Sequence, residues 1–151
     1  MSQKQALAAG SNRRFHHTET TTATRPAIWA RWSDPATWGD WDKGLKAAAI
    51  DGPFGVGASG WITPLKGPKA AFLIEEMDPE VSYTFATSMP GAKLRVRREF
   101  VATASGETVF RHIVWFDGAM AWLFSRLYGK QFRRALPPTM QALAVLAEVD
   151  R

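Results

Sequence analysis

The sequence contains no cysteine. This absence excludes disulfide bonds, thiol nucleophiles and thiolate metal sites. The chain also has no apolar run near the ~20 residues that a membrane-spanning helix needs. Residues 1–10 lack the continuous apolar core that is typical of a signal peptide. We therefore expect a cytoplasmic protein without a membrane span.

Low-complexity tracts, internal repeats and interdomain linkers are also missing from the 151 residues. Hydrophobic residues make up 46% of the chain and charged residues 22%, which is typical of a folded protein rather than a disordered one. Residues 1–12 show no sustained period and predict a flexible tail. The remainder, residues 13–151, has the length of one ordinary domain.

Basic residues outnumber acidic ones, 19 against 14, which gives a formal net charge of +5. Such a balance could favour nucleic acid, an anionic membrane or an acidic ligand. A solvated basic surface is the simpler interpretation, and we expect no nucleic-acid partner. As an alternative function, a basic interaction module for nucleic acid or an anionic membrane would use Lys93, Arg95, Arg97 and the cations of the last helix.

The first part of the chain predicts one strand followed by two short helices. Residues 13–22 are rich in β-branched threonine, which favours a strand. Thr24 and Pro26 then supply a hydroxyl cap and a ring that fits the first turn of a helix. A second short helix is predicted from Asp34-Pro35 to Gly39.

From Gly44 onward the pattern changes to short strands separated by turn residues. We predict strands near residues 44–50, 57–64, 69–77, 81–88, 92–103 and 107–117. Glycine and proline occupy the breaks, as in Asp51-Gly52-Pro53. Connections this short favour an antiparallel meander over parallel crossovers.

The last segment, residues 119–149, predicts a long amphipathic helix, since its apolar residues recur at three- and four-residue steps. Pro137-Pro138 should kink or interrupt this helix. Its apolar stripe can be buried only against a sheet. The sequence therefore predicts an α+β helix-grip fold: a curved seven-stranded antiparallel sheet wrapped on the long C-terminal helix, with two short helices after the first strand.

A straight helix touches a twisted sheet along only part of its length, so we expect an internal cavity between the two. Cavities with mostly apolar walls are the usual sites for small molecules. The expected ligand is an apolar or aromatic molecule, similar to a lipid or polyketide. The predicted lining comes from Phe72, Ile74, Tyr83, Phe85, Val96, Phe100, Phe124 and Tyr128.

Three stretches resemble a known family: residues 28–42, which are rich in tryptophan; Asp51-Gly52-Pro53-Phe54 with the glycines that follow; and residues 110–118. Together they resemble the START-like superfamily, and within it the polyketide cyclase/dehydrase-like branch called SRPBCC. The resemblance implies a helix-grip fold and a cavity for lipids, polyketides or other apolar metabolites. Members of the family often carry histidine where this chain has Arg98.

Arg98 breaks the alternation of its predicted strand. Leu94, Val96 and Phe100 alternate with charged residues, and Arg98 falls on the apolar side with them. A buried arginine needs a partner, because an unpaired buried charge is strongly unfavourable. Arg98 could hold a carboxylate, enolate or phenolate of a ligand by a bidentate contact. It could instead form a structural salt bridge or reach the rim of the sheet.

His112 is the natural neighbour of Arg98. Pairing Phe100 with Phe110 across the last hairpin places Arg98 opposite His112. A nearby cation should lower the pKa of His112 and favour a neutral imidazole, which could act as a base or as a hydrogen-bond partner. A core histidine bonded to a backbone carbonyl is the structural alternative.

Two further pairs are candidate site residues. Trp38 and Trp41 lie near glycine and aspartate, a loop-like context that favours the mouth of the cavity and stacking on a flat ligand. Glu75 and Glu76 are consecutive, so a regular strand would turn one of them inward, where it could answer Arg98.

The function classes that remain are a binding protein for an apolar small molecule and an enzyme. The enzyme would be a cyclase, dehydratase or isomerase that uses His112 and Arg98 for proton transfer and anion stabilisation. His17, Glu19 and His112 form the one conceivable metal set, but their spacing is not diagnostic. We expect neither a metal nor a cofactor.

Overall fold

The structure is a computed structural model that describes residues 14–150. The predicted tail over residues 1–12 lies outside the described residues. The elements follow the predicted order, and the second short helix is a 3-10 helix. In chain order they are β1 (Arg14–Thr21), α1 (Arg25–Trp32), the 3-10 helix (Pro35–Asp40), β2 (Leu45–Asp51), β3 (Ser59–Pro64), β4 (Ala70–Asp78), β5 (Ser82–Met89), β6 (Ala92–Val101), β7 (Thr108–Asp117) and α2 (Ala121–Val149).

The seven strands form one antiparallel sheet in the order β1-β7-β6-β5-β4-β3-β2. Six consecutive strands make a meander, and β1 joins beside β7, so the first and last strands of the chain are neighbours. The sheet is curled, and α2 packs against β1 and β7 across it. The prediction of an α+β helix-grip fold is confirmed.

Helix α1 begins where the sequence predicts. The Thr24 hydroxyl accepts a hydrogen bond from the Ala27 N–H at 3.2 Å, and Pro26 occupies the first turn. A cap of this kind satisfies one of the N–H groups that the start of a helix leaves unpaired. The helix is only eight residues long, and its last residue, Trp32, is completely buried.

The register between β6 and β7 is the predicted one. Arg98 lies opposite His112, and Phe100 lies opposite Phe110. Gly106, in the connecting turn, has a φ of 76°, a left-handed conformation that glycine adopts without strain. Alternation along both strands therefore places Arg98 and His112 on the same inner face.

Helix α2 is continuous through Pro137 and Pro138, so the predicted interruption is wrong. Proline removes the hydrogen bond to the carbonyl four residues earlier, which here belongs to Arg133 and Arg134. Both arginines are exposed, so water can satisfy their carbonyls. Packing of the apolar stripe on the sheet holds the helix together.

Neither Glu75 nor Glu76 faces Arg98, contrary to expectation. A β-bulge in β4 at Glu75 breaks the alternation between the two residues. Both carboxylates lie on the outer face, where Glu75 accepts from Arg95 Nε at 2.7 Å and Glu76 contacts Arg97. Arg95 and Arg97 are therefore ion-paired rather than merely solvated.

Glu99 lies between two arginines on the same outer face. It accepts hydrogen bonds from Arg97 Nε at 2.7 Å and from Arg111 Nε at 2.9 Å. Burial alone would raise the pKa of Glu99, but these two hydrogen bonds outweigh it and keep the pKa below the ordinary value of 4.5. The ion pairs tie β6 to β7 on the side of the sheet opposite the cavity.

Candidate functional site

A cavity of about 190 Å³ lies between α2 and the inner face of the sheet. One end is closed by buried side chains, including Arg98 and His112. The other end is bordered by the half-exposed Leu45 and Leu94 and the exposed Gln131, so the cavity opens there. The lining consists of Asp42, Gly44, Leu45, Ile62, Pro64, Phe85, Leu94, Val96, Arg98, His112, Val114, Gln131, Phe132, Ala135, Leu136 and Thr139.

Arg98 is only 2% exposed although its guanidinium is permanently charged. Its Cζ lies 4.6, 4.8 and 5.2 Å from the ring centroids of Trp38, Trp41 and Phe85. Such cation–π contacts compensate part of the lost hydration. Nη1 donates to the Tyr83 hydroxyl at 2.6 Å, and among residues 14–150 this is the only hydrogen bond of the guanidinium.

Tyr83 connects Arg98 to the end of α1. Its hydroxyl donates to the Trp32 carbonyl at 3.1 Å and accepts from Arg98. The same carbonyl accepts from the Trp38 indole N–H at 3.0 Å. Burial raises the pKa of Tyr83 to about 12, against the opposing effect of Arg98. The tyrosine therefore stays protonated at neutral pH.

His112 is neutral and is oriented by Trp32, not by a backbone carbonyl. The Trp32 indole N–H donates to His112 Nε2 at 3.0 Å, so Nε2 is the acceptor and Nδ1 carries the proton. Burial, and then the nearby Arg98, hold the pKa of His112 well below 6.5, as predicted. The lone pair of the ring is already engaged, so His112 offers the cavity an N–H donor rather than a base.

Asp42 is the acidic partner of Arg98, and sequence analysis did not identify it. Its Oδ2 lies 3.6 Å from Arg98 Nη2, an ion pair too long for a hydrogen bond. Its Oδ1 accepts from the Gly44 N–H at 2.9 Å. Burial raises the pKa of Asp42 above 3.8, and Arg98 and the Gly44 N–H oppose this only in part. A carboxyl group of this kind in a cavity can exchange protons with a ligand.

No family model matches the sequence, and no curated protein matches it significantly. Solved structures do match. Norcoclaurine synthase from Thalictrum flavum, in complex with dopamine and hydroxybenzaldehyde, has a TM-score of 0.67 at 17% identity, over 92% of this chain and 88% of that one. Protein NE0264 from Nitrosomonas europaea has a TM-score of 0.70 at 13% identity, over 93% of this chain and 97% of that one. TTHA0849 from Thermus thermophilus has a TM-score of 0.69 at 12% identity, over 91% and 98%.

The chain has the helix-grip fold of these solved structures. Identities this low establish the fold and not the ligand, because one fold serves many functions. The chemistry of this helix-grip domain therefore depends on the residues of its own cavity.

Only part of the predicted set lines the cavity of this helix-grip domain, namely Phe85, Val96, Arg98 and His112. Three others lie in the hydrophobic core without lining the cavity, namely Phe72, Ile74 and Phe100. Phe124 and Tyr128 lie outside it, on the first turns of α2, where they stack on each other at 6.1 Å and pack against Phe116. The cavity borders a more C-terminal part of α2, residues 131–139, than the predicted lining assumed.

Trp38, Trp41 and Tyr83 surround Arg98 from the core side. The predicted position of Trp38 and Trp41 at the cavity mouth is wrong, since both are 0% exposed. The 3-10 helix folds back on α1, and the hydrogen bond from Trp38 to the Trp32 carbonyl draws the ring inward. Both indoles form a wall of the arginine site.

Sequence analysis missed Asp42, Trp32, Gln131 and Thr139. Asp42 is the last residue of the tryptophan-rich stretch. This position was the only feature of the sequence that could have indicated a role for Asp42. Thr139 accepts a hydrogen bond from the Lys43 N–H at 3.0 Å and so fixes the segment next to Asp42 to α2. These contacts join distant parts of the chain and leave no periodic pattern.

The conceivable metal set does not assemble. Within residues 14–150 no group of three or more histidine, aspartate or glutamate side chains could hold a metal ion. His17 Nε2 lies 2.8 Å from Glu19 Oε1, and His112 opposite His17 is engaged by Trp32.

Acidification below pH 6.5 should destabilise the protein through His112. Because the folded pKa lies well below 6.5, the unfolded chain binds a proton that the folded chain does not. The contribution of His112 is complete above pH 6.5 and is lost as the pH falls from 6.5 toward the folded pKa. The expected slope is about 1.4 kcal/mol per pH unit. Urea unfolding at a series of pH values on both sides of 6.5 measures it.

Three variants test whether His112 causes this pH dependence of the free energy of unfolding. His112→Gln should flatten it, whereas His16→Gln, at an exposed position of β1, should leave it intact. Asp42 has a raised folded pKa and contributes with the opposite sign at pH values just above 3.8, so Asp42→Asn should steepen the dependence there. An unchanged slope in His112→Gln would contradict the assignment.

Proposed function

We propose that the protein binds a small, mostly apolar or aromatic molecule that carries an oxygen acceptor, in the cavity between α2 and the sheet. Arg98 is the anchor of this ligand. The observation that carries the proposal is a buried guanidinium with five N–H donors and one hydrogen bond among the described residues. Nη2 and the Nδ1–H of His112 are donors for a carboxylate, phenolate or carbonyl oxygen.

The residues that line the cavity walls determine the polarity and size of the rest of the ligand. Leu45, Ile62, Val96 and Val114 favour an apolar body, and the donors lie at the closed end. The volume of about 190 Å³ is smaller than the ~300–1,000 Å³ typical of ligand pockets. A compact one- or two-ring molecule, entering with its oxygen first, therefore fits better than a long acyl chain. A ligand that resembles a lipid or a polyketide is therefore proposed only if it is a compact molecule of this size.

Native mass spectrometry of the purified protein tests for a co-purified ligand. A defined probe is 2-naphthoate, an apolar two-ring carboxylate whose binding can be followed by calorimetry. Arg98→Met keeps much of the volume and removes the charge and donors, so it should weaken 2-naphthoate binding by about 13- to 160-fold, the scale of a charge-assisted hydrogen bond. The affinity for 2-naphthalenemethanol, the uncharged alcohol analogue of this probe, should fall less in Arg98→Met.

Arg95→Met is the matched control, because Arg95 belongs to the same strand and lies on the outer face. It should leave 2-naphthoate affinity unchanged. Equal affinities in Arg98→Met and the original protein, both folded, would contradict the role of Arg98 as anchor.

A second candidate function is an enzyme of the cyclase, dehydratase or isomerase type. The observation that favours it is Asp42, a cavity carboxyl group with a raised pKa close to Arg98. In that case Asp42 would exchange the proton, with Arg98 and the His112 N–H stabilising the oxyanion. Asp42→Asn would then abolish turnover and retain binding, whereas a pure binding protein would show no turnover to lose. Neither of the two candidate functions needs a cofactor. The cytoplasmic location of the protein stays a prediction.

A further inference from the structure

The exposed side of α2 carries cations that form no ion pair with an acidic residue among residues 14–150. The basic face of α2 consists of Arg126, Lys130, Arg133 and Arg134, all exposed. The sequence has no aspartate or glutamate between Asp117 and Glu148, and none in residues 1–13. Among residues 14–150 none of the four cations forms an ion pair.

Elsewhere in residues 14–150 most arginines form ion pairs, although Arg14 and Arg25 contact only aromatic rings. Arg31 is bonded to Asp150, and on the outer face of the sheet Arg95 and Arg111 are bonded to carboxylates. The unpaired cations of α2 therefore contrast with the ion-paired arginines on the outer face of the sheet.

Large apolar side chains are exposed on the same side of the helix. Trp122 is 51% exposed and Leu127 is 61% exposed. At 3.6 residues per turn, one stripe contains Trp122, Arg126, Lys130 and Arg133. Leu127 lies next to Arg134, at the edge of the basic face farther from Trp122, so the two apolar side chains flank the cations. Trp122 and the cations Arg126, Lys130 and Arg133 border a surface groove with Phe15 and Gly129. Cations mixed with exposed tryptophan and leucine are typical of helices that lie in a membrane interface.

We propose that this face of α2 docks on an anionic lipid membrane. Lipid phosphates would meet the four cations, while Trp122 and Leu127 would be buried at the level of the headgroups. A nucleic acid would meet the cations equally well but would leave Leu127 exposed to water. The contact is peripheral, because no helix within residues 14–150 is long and apolar enough to cross a membrane. This proposal does not depend on the ligand of the cavity.

The side of α2 next to the basic face lies at the open end of the cavity. Gln131 borders the open end of the cavity and is one residue from Lys130. A domain lying on its basic face would hold the cavity next to the bilayer, where apolar molecules concentrate.

Vesicle co-sedimentation of the full chain tests the proposal. Binding is expected to vesicles of phosphatidylcholine mixed with phosphatidylglycerol, to decrease with salt, and to be weak on phosphatidylcholine alone. Changing Arg126, Lys130, Arg133 and Arg134 together to glutamine should weaken binding by about a hundredfold or more. Leu127→Ser should weaken binding at high salt as well as at low salt, because its contribution is not electrostatic.

The matched control changes four exposed lysines elsewhere, Lys46, Lys66, Lys69 and Lys93, to glutamine and so removes the same net charge. It should retain vesicle binding nearly in full. Equal losses in the two quadruple variants would overturn the proposal, since net charge alone would then explain binding. A single-stranded RNA that binds while anionic vesicles do not would also overturn it. Thermal unfolding of each variant, and 2-naphthoate binding, show that the fold and the cavity are intact.

Discussion

Replacing Trp32 by alanine is expected to lower the free energy of unfolding by about 3–5 kcal/mol, the range for truncating a large buried aromatic side chain. Trp32 is 0% exposed, and its ring lies 4.7 Å from the Phe100 centroid and 6.0 Å from that of Phe110. The substitution leaves a void at the centre of the core. It also leaves His112 Nε2 without its donor. Urea unfolding measures the change.

A second variant separates packing from hydrogen bonding at Trp32, and a variant at an exposed tryptophan is the control. Trp32→Phe keeps most of the ring and removes the N–H, so it should cost less than Trp32→Ala while still freeing the His112 lone pair. Trp122→Ala is the exposed control and should change the free energy of unfolding by less than ~1 kcal/mol. Similar losses at Trp32 and Trp122 would show that the core is not arranged as described.

Gly60→Ala is expected to destabilise the protein by about 3 kcal/mol, at the upper end of the usual cost of overpacking. A Cβ at this position would lie 2.1 Å from the Ala49 carbonyl oxygen and 2.7 Å from Phe72 Cε1 and Cζ. The carbonyl belongs to the backbone of the neighbouring strand, so β2 and β3 would have to separate. Phe72 packs against Trp38 with tilted rings, and Trp38 packs on Arg98, so 2-naphthoate affinity should fall too.

Gly55→Ala is the control for this prediction. No heavy atom lies within 4 Å of a Cβ built at Gly55, and its φ is not positive. Its effect on the free energy of unfolding should stay within ~0.5 kcal/mol. If Gly60→Ala unfolds at the same urea concentration as Gly55→Ala, the close approach of β2 and β3 at Gly60 is refuted.

The inward position of Arg98 and His112 could be predicted because side chains alternate along a strand with period two. Once Phe100 is paired with Phe110, the glycine-containing turn and the apolar pattern leave one register that buries both apolar sets. The error at Glu75 has the same origin. A β-bulge adds one residue to a strand without changing its composition, so the alternation rule fails there.

The cavity lining was less predictable than the sheet. Phe124 and Tyr128 belong to the apolar stripe of α2, but a stripe does not show which of its turns lies over a gap. That choice depends on how the sheet curls away from the helix. The continuity of α2 through Pro137 and Pro138 likewise depends on packing that outweighs two lost hydrogen bonds.

By itself the sequence determined the order of the elements, the register of β6 on β7 and the inward face of Arg98, because these follow from local periodicity and turn chemistry. Only the tertiary structure decided the partners of the polar pair. Trp32 reaches His112 across 80 residues, and Asp42 reaches Arg98 from the segment after the 3-10 helix. These contacts arise when two short helices pack on the sheet, and such packing depends on shape and volume in three dimensions. No pattern along one strand or helix records it.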